Sequence, residues 1–245
     1  MKITATIITL NEERNIARAI ESLRCCDEIL ILDSGSVDRT VELAQNLGVR
    51  VFEAGWRGFA GQKNWAAEQA ANDWILSLDA DEALSEGLEA EIWSLKKSGP
   101  QHDAYTMPRL ANYLGTWIYH SGWYPDRKIR LYDRRKATWV GDFVHESVVC
   151  HTRVGHLEGN ILHFTCESLA EHVKTMDHYT TLAAQELAAR KIRVPLTRLI
   201  FDPGWTFIKT YFVQCGFLDG LEGLIIAHMA AFYTFLKYAK ARNMS

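Results

Sequence analysis

Four short apolar runs, KITATIITL, EILILD, VRVFEA and WILSLD, recur across the first eighty residues with helix-like sequence between them. The first gap, NEERNIARAIESLR, carries Ile16, Ala19, Ile20 and Leu23 at helical spacing. The second, SVDRTVELAQNLG, reads as a helix stopped by Gly48, and the third is a glycine-containing loop, GWRGFAG, followed by the helix QKNWAAEQAA. Strands alternating with helices predict βαβ units and a mainly parallel sheet covered on both faces. Ligands of such sheets bind beyond the carboxyl ends of the strands. Three of those ends carry polar clusters, TLNEE at 9–13, DSGSVD at 33–38 and DADE at 79–82, so all three are expected to line one crevice.

The last cluster poses an electrostatic problem. Asp79, Asp81 and Glu82 crowd the end of a buried strand, and their mutual repulsion demands a counter-charge. A hard divalent cation, Mg²⁺ or Mn²⁺, would supply it, since such ions bridge one or two carboxylates to substrate phosphates. A lone D-x-D is weak evidence; placed at the fourth strand end of a βαβ series and facing DSGS, it points to a metal that holds a diphosphate. The turn after the first strand, TLNEERN, contains no glycine, and no Walker sequence occurs. Dinucleotide cofactors and ATP-type phosphate loops are therefore poor candidates.

Beyond residue 103 the pattern changes to short strand-like pieces rich in aromatics, then to a helix over 168–190 and a helical region from 205 to 240. The composition shifts near residue 190. Residues 1–186 hold 19 Lys and Arg against 27 Asp and Glu, whereas 187–245 hold 8 against 3, many of them among Trp, Phe and Tyr. A basic, aromatic tail on an acidic body suggests an anionic membrane surface as its partner, with a solvated helical face as the alternative. Its most apolar stretch, LIIAHMAAFYTFL, is 13 residues long. A crossing helix needs roughly 20, so an interfacial or docked helix is expected. The five cysteines show no metal spacing and read as free thiols, and His145, His151, His156 and His163 fit no zinc pattern and read as structural. The N-terminal run is too short for a signal-peptide core, which leaves a cytoplasmic chain, peripheral on the inner face of the plasma membrane, as the expectation.

The succession TLNEERNI, ILILDSGSVDRT, KNWA and LSLDADE resembles the inverting GT-A glycosyltransferases of family two, over residues 2 to about 150. The resemblance implies an α/β, Rossmann-like GT-A fold, a mainly parallel sheet flanked by helices with an amphipathic helical C-terminal region. It implies a catalytic domain over 1–190, with a nucleotide-binding half at 1–100 and an acceptor half at 101–190, and a membrane-associating region at 191–245. Nucleotide contacts fall on Thr9, Asn11, Glu13, Asp33, Lys63 and Asp79, and the metal contact on Asp81. Arg130 is a candidate for the diphosphate. On the residues alone, a helix cap for Asp33, a surface lysine for Lys63 and an exposed strand edge for Arg130 stay open.

The stretches GWYPDRKIRLYDRR, GDFVHESV and FLDGLEGLIIAHMAAFYTFLKYAK are similar to bacterial lipopolysaccharide core β-1,4-glucosyltransferases. That similarity implies transfer of a hexose, glucose from UDP-glucose, to a lipid-linked saccharide. Many relatives supply the base from an E-D pair; this chain has His145-Glu146, so Glu146 is the candidate base with Asp142 in reserve. The Q-x-x-R-W motif of processive synthases is missing, which favours a single addition. Transfer to a polyprenyl phosphate and a catalytically silent nucleotide-sugar binding module stay open, and no nucleic-acid partner is expected.

Overall fold

The computed structural model describes residues 1–141 and 146–244. Two compact units divide them, one of Met1–Arg109 with Asp126–His163, the other of Leu110–Pro125 with Phe164–Ser245.

The first unit opens with β1 (Ile3–Thr9), α1 (Ile16–Glu21), β2 (Glu28–Asp33), α2 (Thr40–Asn46), β3 (Arg50–Glu53), α3 (Phe59–Gln69) and β4 (Trp74–Asp79). All seven residues of β1 are buried, as its position between β2 and β4 requires. The three pairings are parallel, and the register sets Thr9 opposite Asp33 and Ile8 opposite Asp79. The polar strand ends are thus level with one another, as expected. One sheet face packs Ile3 and Ile7 with Ile16, Ile20 and Ala44 of α1 and α2. The other packs Ile8, Leu30 and Leu32 with Ala66 of α3, which gives the two-sided cover expected of parallel strands.

The chain continues through β5 (Glu82–Leu84), α4 (Glu86–Ser98), β6 (Ala104–Tyr113), β7 (Thr116–Ile118), β8 (Asp126–Asp133), β9 (Ala137–Val140), β10 (Ser147–Cys150), β11 (Val154–His156) and β12 (Ile161–Cys166). The large sheet runs β3-β2-β1-β4-β8-β6-β12-β5, with β11 added to β6, while β9 and β10 form a separate hairpin. The strand β8 is antiparallel to β4 and to β6. Tyr105 faces Leu131 and Thr106 faces Ile129, so Arg130 is an inserted residue. Such a bulge re-aims a side chain. The sequence reading contains no helix at 86–98, yet its signals are present. Ser85 accepts a hydrogen bond from the Leu88 amide, Glu86 and Glu89 lie in the first turn, Lys96 and Lys97 in the last, and Gly99 closes it at φ +82°.

In the second unit the end of β6 pairs with β7 through a turn at Leu114 and Gly115, both at positive φ, the geometry of a two-residue hairpin. Three helices follow: α5 (Leu169–Ala189), α6 (Leu196–Ile208) and α7 (Gly220–Asn243). A π turn (Lys209–Val213) and a 3₁₀ turn (Gly216–Asp219) join the last two. Both α5 and α6 pack on α7. Gly223 approaches the Gly216 carbonyl so closely that a Cβ would not fit. The buried Asp219 accepts from the Tyr119 and His120 amides, His120 Nδ1 and Ser121 Oγ. The helical region begins at Leu196 rather than 205, and the composition shift near 190 falls between α5 and α6, inside this unit. Among the described residues no single helix is long and apolar enough to cross a membrane. Leu196–Val213 and Gly216–Asn243 pass that test only as a pair, bent by 70°.

Candidate active site

At the ends of β1 and β2 two loops are sewn together. The Asn11 amide donates to Ser36 Oγ and Asn11 Oδ1 accepts from the Val37 amide, both at 2.8 Å. Asn11 has φ 56°, a conformation asparagine tolerates well. The Glu13 amide donates to Asp38 at 3.2 Å, and its carboxylate accepts from the Arg39 amide at 3.1 Å. Asp33 is 1% exposed and accepts from the Gly35 and Ser36 amides and from Ser36 Oγ. It closes an Asx-type turn and caps no helix. The Ser34 amide donates to the Thr9 carbonyl, and Gln62 Nε2 donates to Ser34 Oγ at 2.8 Å. Thr9 Oγ1 and Gln62 Oε1 are buried with no hydrogen-bond partner among the described residues. Buried polar atoms are normally satisfied.

The crowded acids find their counter-charge within the chain. Arg130 Nη2 donates to Asp79 Oδ2 at 2.9 Å and to Glu82 Oε1 at 2.8 Å. Lys63 Nζ lies 2.9 Å from Asp79 Oδ1 as an ion pair without hydrogen-bond alignment, and 3.1 Å from Glu146 Oε1 as a hydrogen-bonded one. Glu82, wholly buried, also accepts from the Asp79 amide at 3.0 Å and meets Arg109 Nη1 at 3.5 Å. Burial raises the Asp79 carboxyl, but the charges of Arg130 and Lys63 outweigh it and hold Asp79 far below the carboxylate range. Burial likewise lowers Arg130, and Glu82 with Asp79 more than reverses it. Lys63 is 1% exposed, so it is no surface lysine, and Arg130 is buried rather than an exposed edge. The nitrogens Nε and Nη1 of Arg130 are buried without partners among the described residues. The counter-charge expected of a metal is thus supplied to Asp79 and Glu82 by side chains.

Both cations rest against Trp139, with Lys63 Nζ 4.3 Å and Arg130 Cζ 5.5 Å from the ring centroid. Asn64 fixes that tryptophan to α3: its Oδ1 accepts from the Trp139 amide and its Nδ2 donates to the Trp139 carbonyl.

Asp81 stands apart from this network. Its Oδ2 lies 3.2 Å from His163 Nε2, because antiparallel β12 pairs His163 with Glu82. A carboxylate oxygen and an imidazole nitrogen, both partly exposed, suit a divalent cation. Among the described residues no group of three His, Cys, Asp or Glu could hold a metal alone. The pair fits an ion whose remaining ligands come from a substrate.

Lys63, Asp79, Arg130 and Glu146 are brought together, with Asp81 two residues beyond Asp79. Thr9, Asn11, Glu13 and Asp33 form the loop cluster at the neighbouring strand ends. Asp142 lies outside the described residues. Sequence reasoning did not single out the contact of His163 with Asp81 or the contacts of Glu82, Arg109 and Trp139. Nothing local marks His163; only the β5–β12 pairing brings it to Asp81.

The family model for glycosyl transferase family 2 matches residues 4–154, which hold the mainly parallel α/β sheet and the D-x-D at the end of β4. The chain belongs to glycosyl transferase family 2. It is 34% identical over 256 residues to an uncharacterized glycosyltransferase of Rickettsia typhi, covering 100% of this chain and 88% of that one. It is also 34% identical over 247 residues to the lipopolysaccharide core biosynthesis glycosyltransferase LpsC of Rhizobium meliloti, covering 98% and 92%.

Proposed function

We propose that the enzyme transfers one hexose, glucose from UDP-glucose, with inversion to a lipid-linked saccharide such as lipopolysaccharide core, working in the cytoplasm at the inner face of the plasma membrane. The observation that carries this reading is the line Glu146–Lys63–Asp79–Arg130, which ties a candidate base to the D-x-D through one buried lysine. The likeness to LpsC supports the acceptor class. Thr9 Oγ1 and Gln62 Oε1, buried and unsatisfied among the described residues, are atoms a nucleobase would satisfy, with Asn11, Glu13 and Asp33 shaping the loops around it.

Asp81 and His163 would hold Mg²⁺ or Mn²⁺, and a bound ion of that kind neutralises charge on a departing diphosphate. The free nitrogens of Arg130 add a fixed positive charge for the same phosphates. Glu146 Oε takes the proton of the acceptor hydroxyl, the hydroxyl oxygen bonds to the anomeric carbon, and the bond from that carbon to the diphosphate breaks. UDP leaves with the electron pair. Attack opposite the leaving group inverts the centre. Lys63 positions Glu146 through its 3.1 Å hydrogen bond to Oε1.

One observation favours a second reading. Lys63 Nζ occupies Glu146 Oε1 at 3.1 Å, and a polyprenyl phosphate acceptor, already ionised, needs no base. The deciding experiment incubates the full chain with UDP-glucose, divalent metal and either acceptor, and determines the product's anomeric configuration. Transfer to the saccharide that depends on Glu146 supports the first reading; transfer to the phosphate that survives Glu146→Gln supports the second. No donor hydrolysis and no transfer would leave a silent nucleotide-sugar binding module.

A further inference from the structure

The helix α6 is built inside out. None of its 13 residues is buried. Large apolar side chains stand out from it: Phe201 is 70% exposed, Trp205 61%, Ile208 45%, and Phe212 just beyond it 55%. Their spacings of four, three and four residues put them on one helical stripe. Ile200 and Val213 flank the stripe, and Phe217, Leu218 and Leu221 extend the exposed apolar surface past the bend. Scattered exposed apolar residues need no explanation, but a contiguous patch of this kind marks an interaction surface. In the tail's most apolar stretch, in α7, Ile226 and Ala227 are buried and Phe232 and Phe235 are 46% and 42% exposed, with α5 and α6 packed on the helix.

We infer that the outer stripe of α6 and the bend that follows it insert into the interfacial layer of a phospholipid leaflet, with the helix lying along the surface and not crossing. The charges around the stripe select this occupant. Arg190, Lys191 and Arg193 precede the helix, Arg198 lies on it and Lys209 directly follows it, all of them exposed. Its single acid, Asp202, lies 3.4 Å from Arg198 as an ion pair. An apolar stripe bearing Trp and Phe with a basic border is the pattern of an interfacial helix on an anionic leaflet. A second copy docked two-fold on the same stripe would set these basic borders against each other. The surface goes beyond the charge-driven association that composition alone suggests, because here most of the attachment is apolar.

The experiment uses the full chain with vesicles of phosphatidylcholine and phosphatidylglycerol, with and without brominated acyl chains. The expected result is flotation that persists in about 1 M NaCl, where charge attraction is screened within roughly 3 Å. Brominated lipid should quench tryptophan fluorescence, and Trp205→Phe should remove most of that quenching while the protein still floats. The double variant Phe201→Ser/Phe212→Ser, checked for native circular dichroism, should partition about a hundredfold more weakly, from two lost rings. Complete release by salt, absence of quenching, or unchanged partitioning of the double variant overturns the inference. So does lipid-free dimerisation that the double variant abolishes, which would assign the stripe to a second copy.

Discussion

In the unit built on residues 1–109 and 126–163, the side chains of Lys63, Glu82 and Arg130 are each nearly inaccessible, while in the other unit the helix α6 shows Phe201, Trp205 and Phe212 to solvent. Each arrangement reverses the usual rule that charge is outside and apolar surface inside. Burying ions requires partners within hydrogen-bond distance, and each buried ion here has them. Exposing rings has no such internal compensation, so the compensation must come from outside the chain. The first inversion is therefore charge-balanced within the chain, with Arg130 Nε and Nη1 left unpartnered among the described residues, and the second is half of an interface.

The largest test of that contrast is Arg130→Met. It leaves Asp79 and the wholly buried Glu82 without their shared cation, and breaking a buried pair this way costs about 3–5 kcal/mol. Urea unfolding should show a loss of that order. A loss below about 1 kcal/mol would mean that Lys63 and Arg109 alone balance the acids, and the network would not be the single unit described here.

Next in size is Glu146→Gln. General-base removal lowers turnover by about 10² to 10⁴, whereas donor affinity, measured by calorimetry, should stay near that of the parent. The comparison with Asp142→Asn separates the two carboxylates. Near-normal turnover of Glu146→Gln moves the base to Asp142 or favours an acceptor that needs none.

A smaller effect separates the two aspartates of the D-x-D. Asp79 is consumed by Lys63 and Arg130, and Asp81 is not. UDP with Mn²⁺ at about 100 times its dissociation constant should stabilise the parent by roughly 2.7 kcal/mol. Asp81→Asn should remove most of the metal-dependent part. Equal thermal shifts with and without chelator would remove the metal from Asp81.

The division between what the sequence shows and what it hides follows from distance along the chain. The four opening strands, their parallel order and the polar ends are written in local periodicity, and Thr9, Asp33 and Asp79 emerge where the pattern puts them. The signals of α4 are equally local: Ser85 at its start, acids in the first turn, lysines in the last and Gly99 at its end. Non-local pairing was not legible. The bulge that re-aims Arg130 arises from β8 meeting β6, and the contact of His163 with Asp81 arises from β12 meeting β5. Likewise a basic aromatic tail can be counted, yet which of its apolar residues face outward depends on α5 and α6 packing against α7.

Acid sharpens the contrast further. The folded-state pKa of Asp79 is depressed, so its contribution to stability is fully present above its ordinary value of 3.8 and is lost as pH falls below that toward the folded value. Unfolding free energy should therefore fall between about pH 4 and pH 2, and Asp79→Asn should flatten that limb. Nothing on the outer stripe of α6 titrates in this range, so a stripe variant should keep the parent's acid limb. An unchanged limb in Asp79→Asn would assign acid sensitivity to other carboxylates.

The smallest expected effect is the stability of Phe201→Ser in the absence of lipid. Phe201 is 70% exposed, so its replacement removes little buried area, and surface changes of this kind usually stay within about 0.5 kcal/mol. Replacing Ile7 by alanine in the covered strand β1 should cost about 2–5 kcal/mol by cavity formation. The same class of truncation is thus expensive where the chain covers the side chain and nearly free where it does not. If Phe201→Ser destabilised the lipid-free protein by more than about 1.5 kcal/mol, the ring would be covered in solution, by a second copy or by this chain. The measurement to make is urea unfolding at two protein concentrations. Concentration dependence would identify a second copy, and its absence would place the covering contact within the chain itself.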